Sequence, residues 1–403
     1  MKVTAEAARR FLVARHYLSP ARSLTGGPTA VVAALERLGS IQLDPIAVAG
    51  RNHDLVLHAR VADYDPAWCD QLYGREIFEA HNKGLSLVPA SEFPWFRGAL
   101  SRRPSQTLDD NADVAERVLA RIREEGPLSS ADFERETGPT TDWFGMPANA
   151  VRVVLEAYTV TGVLGLARRE GNRRYYDLVE RLLPKKLLAR KVPIDEQMPH
   201  RMLSRYRAHG LLGASPGGDI YHGLGPAKPD PRVPGYPGRN AIRAELIERG
   251  ELVPVDVEGV RGKRFVLRED VSSLQAPPEP APTVAFLPPF DPLVWDRPLL
   301  ASLFGFDYVW ELFHPPAKRR WGWYVLPIVF GDRFVGRIEP KIDRAAARVD
   351  VLNLWWEDTF APKRAEGFVD AMSEALRAYL QFAGVDRLEW PSHLATEKRL
   401  FGR

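Results

Sequence analysis

The residues best suited to chemistry in this chain are Gln42 and Asp44, in the run Leu38-Gly39-Ser40-Ile41-Gln42-Leu43-Asp44-Pro45-Ile46. Apolar and polar side chains alternate there as in a short strand. Positions two apart share one face of a strand, so Gln42 and Asp44 project together while Ile41 and Leu43 point the other way. Pro45 directs Asp44 away from helical geometry and toward an extended backbone. At a rise of about 3.3 Å per residue, the amide and the carboxylate stand roughly 7 Å apart at Cα. Such a pair can hold one water molecule and deprotonate it. A solvated strand face gives the same spacing far more often, so the elements around the pair must be read with it.

Helical apolar spacing covers residues 4–17 and 28–38, through Phe11, Leu12 and Val13, then Val31, Val32, Leu35 and Leu38. The Gln42/Asp44 strand follows, then a helix over residues 48–61. Asp65-Pro66 opens a short helix with Trp68 and Leu72, and residues 77–88 alternate as a hairpin. Helices, a strand and a hairpin are the parts of a winged helix, here residues 1–105.

The same order returns in residues 106–195. Val114, Val118, Leu119 and Ile122 mark a helix ending near Gly126, and Pro127-Leu128-Ser129-Ser130 reads as a short strand and N-cap. Helices over residues 131–136 and 149–161 come next. Residues 163–178 form a hairpin with Glu170-Gly171-Asn172 at its tip. Arg168, Arg169, Arg173 and Arg174 flank that tip, making a basic wing. A looser third copy spans residues 196–275, with helices over 202–211 and 239–249, a Gly- and Pro-rich loop over 215–238 and a hairpin over 252–267. These copies share element order rather than residues.

The run Ala276-Pro277-Pro278-Glu279-Pro280-Ala281-Pro282 reads as a stiff linker. Beyond it, residues 283–403 are rich in aromatic and β-forming residues. Strands are expected over 323–330, 334–339 and 348–356, with a turn at Gly331-Asp332 and a closing helix over 362–382. The expected fold class is therefore α+β, with tandem winged-helix domains followed by a β-rich C-terminal domain.

Charge distribution says more than net charge. The whole chain carries only +3, but residues 165–210 hold twelve Lys/Arg against five Asp/Glu. Tandem winged helices most often bind nucleic acid, with basic residues on phosphates. Arg168, Arg169, Arg173 and Arg174 suit that role, and so does Lys318-Arg319-Arg320 beside Trp321-Gly322-Trp323. A solvated hairpin tip, or aromatic packing within the last domain, would account for the same residues.

Several classes lose support. Cys69 is the only cysteine, which excludes an internal disulfide framework and a cysteine-based zinc or iron–sulfur site. His53 and His58 are five apart and no His-Glu-x-x-His run exists, so no metal is expected. Phosphate-loop and nucleophile-elbow motifs are missing too. No signal-type leader or 18-residue apolar run appears, so a cytoplasmic protein without a membrane partner is expected.

Taken as blocks, the sequence resembles the AlkZ/YcaQ-like winged-helix DNA glycosylases. The resemblance rests on the Leu38–Ile46 run, on Arg51-Asn52-His53-Asp54-Leu55-Val56-Leu57, and on Phe286-Leu287-Pro288-Pro289-Phe290-Asp291-Pro292-Leu293-Val294-Trp295-Asp296-Arg297. Leu303-Phe304-Gly305-Phe306-Asp307-Tyr308 and Ala317-Lys318-Arg319-Arg320-Trp321-Gly322-Trp323-Tyr324-Val325-Leu326-Pro327 complete it. It implies tandem winged helices followed by a β-barrel, with a concave surface for double-stranded DNA. It also implies that Gln42-Leu43-Asp44 is the catalytic motif, in the version that goes with broad alkylpurine removal and crosslink unhooking. No cofactor is implied. With no lysine beside the motif in sequence, monofunctional hydrolysis by a monomer acting on the bacterial nucleoid is expected. The rival reading is a winged-helix transcriptional regulator, which has no need for an exposed amide–carboxylate pair. A nucleoid-type structural binder is a third, without lesion preference.

Overall fold

The computed structural model describes residues 1–97, 103–133, 140–141, 146–216, 219–231 and 235–402. Their fold is mixed α+β, with four sheets among the described residues. Local signals in the sequence set most of the elements. The helix Pro28–Leu38 begins with proline in its first turn and ends at Gly39, whose φ of +70° turns the chain into the strand Ile41–Gln42. Asp65 caps the helix Pro66–Leu72, and Asn149 caps Ala150–Thr161, each accepting a backbone N–H.

Ile41–Gln42 pairs antiparallel with Leu85–Pro89, which pairs in turn with Ile77–His81. The second unit repeats that arrangement. Leu128–Ser129 pairs with Arg173–Leu178, which pairs with Leu164–Glu170, over the helices Ala112–Glu125 and Ala150–Thr161. In residues 130–132 a single 3-10 turn replaces the start of the expected helix, and the rest of that expectation lies outside the described residues.

A third sheet has the order Lys2–Val3, Leu252–Val257, Arg264–Leu267, Leu212–Gly213. One of its pairings crosses the expected division of the chain. Lys2 and Val3 lie parallel to Asp256 and Val257, and the helix Ala5–Arg15 packs its Phe11 and Leu12 in a core shared with Val255, Val266 and Leu274. The chain's first residues therefore complete the sheet built from residues 212–267. Pairing across some 250 positions leaves no local trace in sequence.

The last sheet runs Val284–Phe286, Leu326–Phe330, Arg333–Asp343, Arg348–Trp356, Arg387–Glu389. A barrel is expected here, but the sheet is open, with the first and last of these strands at its edges. Arg387–Glu389 pairs parallel with Arg348–Trp356, which needs a crossover. Helix Phe368–Ala383 supplies it and lies across the sheet, with Phe368 edge-on to Phe330 and Trp356 and Tyr379 edge-on to Phe286. The helix covers the face that closure would otherwise enclose.

Candidate active site around Gln42 and Asp44

The strand carrying the motif is held from three sides. Leu43 N–H donates to the Leu85 carbonyl at 2.8 Å, extending the ladder one residue past Gln42. Asn52, fully buried, donates through Nδ2 to the Gln42 carbonyl at 2.7 Å, and its Oδ1 accepts the Phe290 N–H at 3.2 Å. The loop after the motif is anchored to the C-terminal sheet and helix: Ile342 N–H donates to the Val48 carbonyl at 2.9 Å, and the Tyr379 hydroxyl to that of Ala49 at 2.6 Å. Those anchors explain why the helix expected over residues 48–61 is shorter, Asn52–His58. The backbone at 47–50 is drawn out to meet the last domain, with Gly50 at φ +121°.

Gln42 and Asp44 are both half-buried. Asp44 closes a turn on itself, its Oδ1 accepting the Ile46 N–H at 2.9 Å across Pro45. Burial pushes its carboxyl above the ordinary aspartate range, with the Ile46 N–H opposing. No basic side chain forms an ion pair with it among the described residues. Tyr324 lies within electrostatic reach. Burial first, and then the Asp44 charge, hold its phenol well above its usual range, so it stays a neutral O–H. That hydroxyl is buried without a hydrogen-bond partner among the described residues.

The side chain of Gln42 has a defined sense. Lys83 Nζ lies 3.4 Å from Oε1, and an ammonium can only donate, so the carbonyl end of the amide faces it and the NH₂ end faces away. Gly84 leaves room for this: a Cβ there would stand 3.2 Å from Nε2. Lys83 is itself buried, 3.0 Å from the Asp219 carboxylate, and 5.4 and 5.8 Å from the ring centroids of Trp295 and Phe290. Burial lowers its pKa, with Asp219 opposing. A lysine therefore does stand beside the motif, contrary to the expectation from spacing. Forty-one residues separate it from Gln42, and only the hairpin Ile77–His81 to Leu85–Pro89 brings its tip back to the strand. Asn52, Phe290 and Tyr324 were also missed as site residues, although each lies in a block that carried the family resemblance.

The match to known proteins follows that geometry. A family model described as "DNA glycosylase AlkZ-like" covers residues 35–382, from the helix before Gln42 to the last turn of the helix that anchors its loop. The chain belongs to the AlkZ-like DNA glycosylase family. Among solved structures it is similar to Streptomyces sahachiroi DNA glycosylase AlkZ, with a TM-score of 0.57 and 19% identity over 97% of this chain and 100% of that one. That likeness extends the shared fold over nearly the whole protein. As an AlkZ-like glycosylase the protein is a DNA-repair hydrolase of N-glycosyl bonds.

The seven basic residues singled out as DNA contacts are in unlike positions. Arg169 grips Glu79 of the first hairpin with two hydrogen bonds, at 2.5 and 2.9 Å, and Tyr73 donates to the same carboxylate. Arg174 pairs with Glu156 at 2.7 Å. Both are spent on joining elements of the AlkZ-like fold. Arg168 and Arg173 are exposed, Arg168 pairing with Glu170 at 3.1 Å and lying over the Tyr175 ring at 3.8 Å. Lys318 and Arg320 are exposed and Arg319 half-buried, its Nε donating to the His314 carbonyl. Among the described residues no group of three potential metal ligands occurs, and no helix is long and apolar enough to cross a membrane.

Proposed function

We propose that this AlkZ-like glycosylase hydrolyses the N-glycosidic bond of N7-alkylated purines, including crosslinked ones, with Asp44 and Gln42 as its catalytic residues. The observation that supports the reading is a half-buried carboxylate without an ion-pair partner among the described residues, two positions along the chain from an amide whose carbonyl end is held by Lys83. Alkylation at N7 makes the purine cationic, so it leaves without a general acid. As the bond from C1′ to the base breaks, its electron pair goes to the purine and the sugar gains oxocarbenium character. Ionised Asp44 stabilises that cation and takes a proton from the water that bonds to C1′. Gln42 Nε2 donates to the water or sugar oxygen. The products are a free alkylated base and an abasic site.

In the same reading residues 1–105, 106–195 and 196–275 are winged-helix units, with Lys2–Val3 paired onto the sheet of the third, and the C-terminal sheet lines the concave side. Arg168 and Arg173, and Lys318 with Arg320, supply the phosphate contacts. The protein works as a monomer on duplex DNA in the cytoplasm, without a cofactor. Hydrolysis is favoured over a Schiff-base lyase because the Lys83 ammonium is engaged by the Asp219 carboxylate and Gln42 Oε1. Incubation of the purified protein with duplex carrying 7-methylguanine, or a nitrogen-mustard crosslink, tests this. We expect released base, an alkali-labile abasic site and no borohydride-trapped adduct. Binding without release would favour the regulator, and a trapped adduct on Lys83 would make the enzyme bifunctional.

The half-buried setting of Asp44 also fixes a pH dependence. Its pKa is raised, so the ionised form is lost as pH falls through a value above the usual aspartate range. Single-turnover release measured between pH 4 and 8 should therefore show an acid limb displaced upward from that of a free aspartate. A limb at the ordinary aspartate position would contradict the burial of the carboxylate.

A further inference from the structure

The loop that precedes the strand Leu326–Phe330 displays Phe313 to solvent at 85% exposure, with Trp323 exposed nearer the strand. Val309 in the same loop is 47% exposed. Single exposed apolar residues are common on protein surfaces; here the loop that carries Phe313 is also rigid and flanked by charged side chains. The buried Glu311 carboxylate accepts the backbone N–H groups of Arg320, Trp321 and Gly322 at 2.8, 2.7 and 3.2 Å, closing the loop at its base. Pro315 and Pro316 stiffen its far side, entering the 3-10 turn Pro316–Lys318.

Behind Phe313 a chain of ring contacts leads toward the active site. Phe313 is edge-on to Trp310 with centroids 5.9 Å apart, and Trp310 is edge-on to Phe290 at 4.7 Å. Phe290 donates its backbone N–H to Oδ1 of Asn52, the residue that also holds the Gln42 carbonyl. Beside the loop stand Lys318 and Arg320, the latter with its guanidinium over the Trp321 ring at 4.5 Å. A projecting ring flanked by cations fits duplex DNA: the cations meet phosphates and the ring meets the base stack.

We propose that Phe313 is a wedge that enters the base stack near the damaged purine and opens the duplex for Gln42 and Asp44. This rests on the DNA glycosylase reading of the site. Wedges repay the unstacking of a base step by holding the deformed DNA, and they matter most where the stack is intact. Phe313 has little packing of its own to lose, so Phe313→Ala should fold normally.

The test compares Phe313→Ala, Phe313→Trp and wild type in single-turnover release of 7-methylguanine. One duplex is fully paired, and in the other the lesion sits in a bulge. We expect Phe313→Ala to lose at least about ten-fold on the paired duplex and less than about three-fold on the bulge, as unstacking of a few kcal/mol implies. Phe313→Trp should recover most of the loss. A 2-aminopurine placed beside the lesion should brighten on binding wild type and not on binding Phe313→Ala. Equal release by wild type and Phe313→Ala on the paired duplex, or equal losses on both duplexes, would overturn the wedge. Failure of wild type to release base from either duplex would instead overturn the reading of the catalytic pair.

Discussion

Arg60→Met is expected to destabilise the protein by about 3–5 kcal/mol, the range for removing one partner of a buried ion pair. Arg60 and Asp291 are fully buried and joined by two hydrogen bonds, at 2.7 and 3.0 Å. The guanidinium also donates to the Val56 carbonyl at 2.8 Å and lies 3.3 Å from His16 Nδ1. His16 is buried and bonds through Nε2 to the His209 carbonyl, so Nε2 carries the proton and Nδ1 accepts from Arg60. Burial first, then the nearby Arg60 charge, keep its pKa well below the usual value, so the imidazole is neutral. Methionine would leave the Asp291 carboxylate buried with only the Leu293 N–H among these partners. The pair also locks the helix Asn52–His58 to the Phe290–Asp291 turn, and hence the scaffold under Gln42 to the last domain. Urea unfolding followed by tryptophan fluorescence reads the loss. The double variant Arg60→Met/Asp291→Leu should recover much of it, since replacing both partners removes the stranded charge. A double variant no more stable than Arg60→Met would contradict that account of the pair.

Asp44→Asn carries the second large effect, on catalysis rather than on stability. Asparagine keeps the size of the side chain and the oxygen that accepts the Ile46 N–H, so the Asp44-Pro45-Ile46 turn should survive. It removes the base and the negative charge facing the sugar cation. A positioned general base contributes about 10²–10⁴-fold, and release should fall by that factor. DNA affinity should change little, because the substitution leaves the cations proposed to meet phosphates in place. Fluorescence anisotropy with a lesion-bearing duplex checks the second half of the expectation.

Local chemistry in the sequence revealed more of the fold than of the site. The helix Pro28–Leu38, the caps Asp65 and Asn149, the turn at Gly331-Asp332 and both basic and apolar hairpins all rest on neighbours in the chain. Three features were out of reach because they depend on distant pairing. The parallel match of Lys2–Val3 with Leu252–Val257 placed the N-terminal helix in a core with residues far along the chain. Arg387–Glu389 joins the edge of the last sheet after the helix Phe368–Ala383 has crossed its face. The anchors at Val48 and Ala49 shortened a helix whose apolar spacing continued through them.

The site shows the same division. Gln42 and Asp44 were visible as an alternating pair, and the family resemblance raised them above an ordinary strand face. Lys83 was invisible, because a lysine at a hairpin tip reads as solvent-facing until the tip folds back onto the strand. Arg169 and Arg174 looked like free cations on a wing, yet their partners Glu79 and Glu156 come from other elements. Charge in sequence could not separate cations that join elements of the fold from those left exposed to solvent.

Single-turnover release of 7-methylguanine from a defined duplex, by wild type and by Asp44→Asn at concentrations that saturate binding, tests the catalytic assignment most directly. Wild type should convert the lesion to an alkali-labile abasic site, and Asp44→Asn should bind the duplex equally well while releasing base at 1% of that rate or less, on the order of the general-base contribution. Release by Asp44→Asn at the wild-type rate would remove Asp44 from the chemistry and, with it, the role given to Gln42.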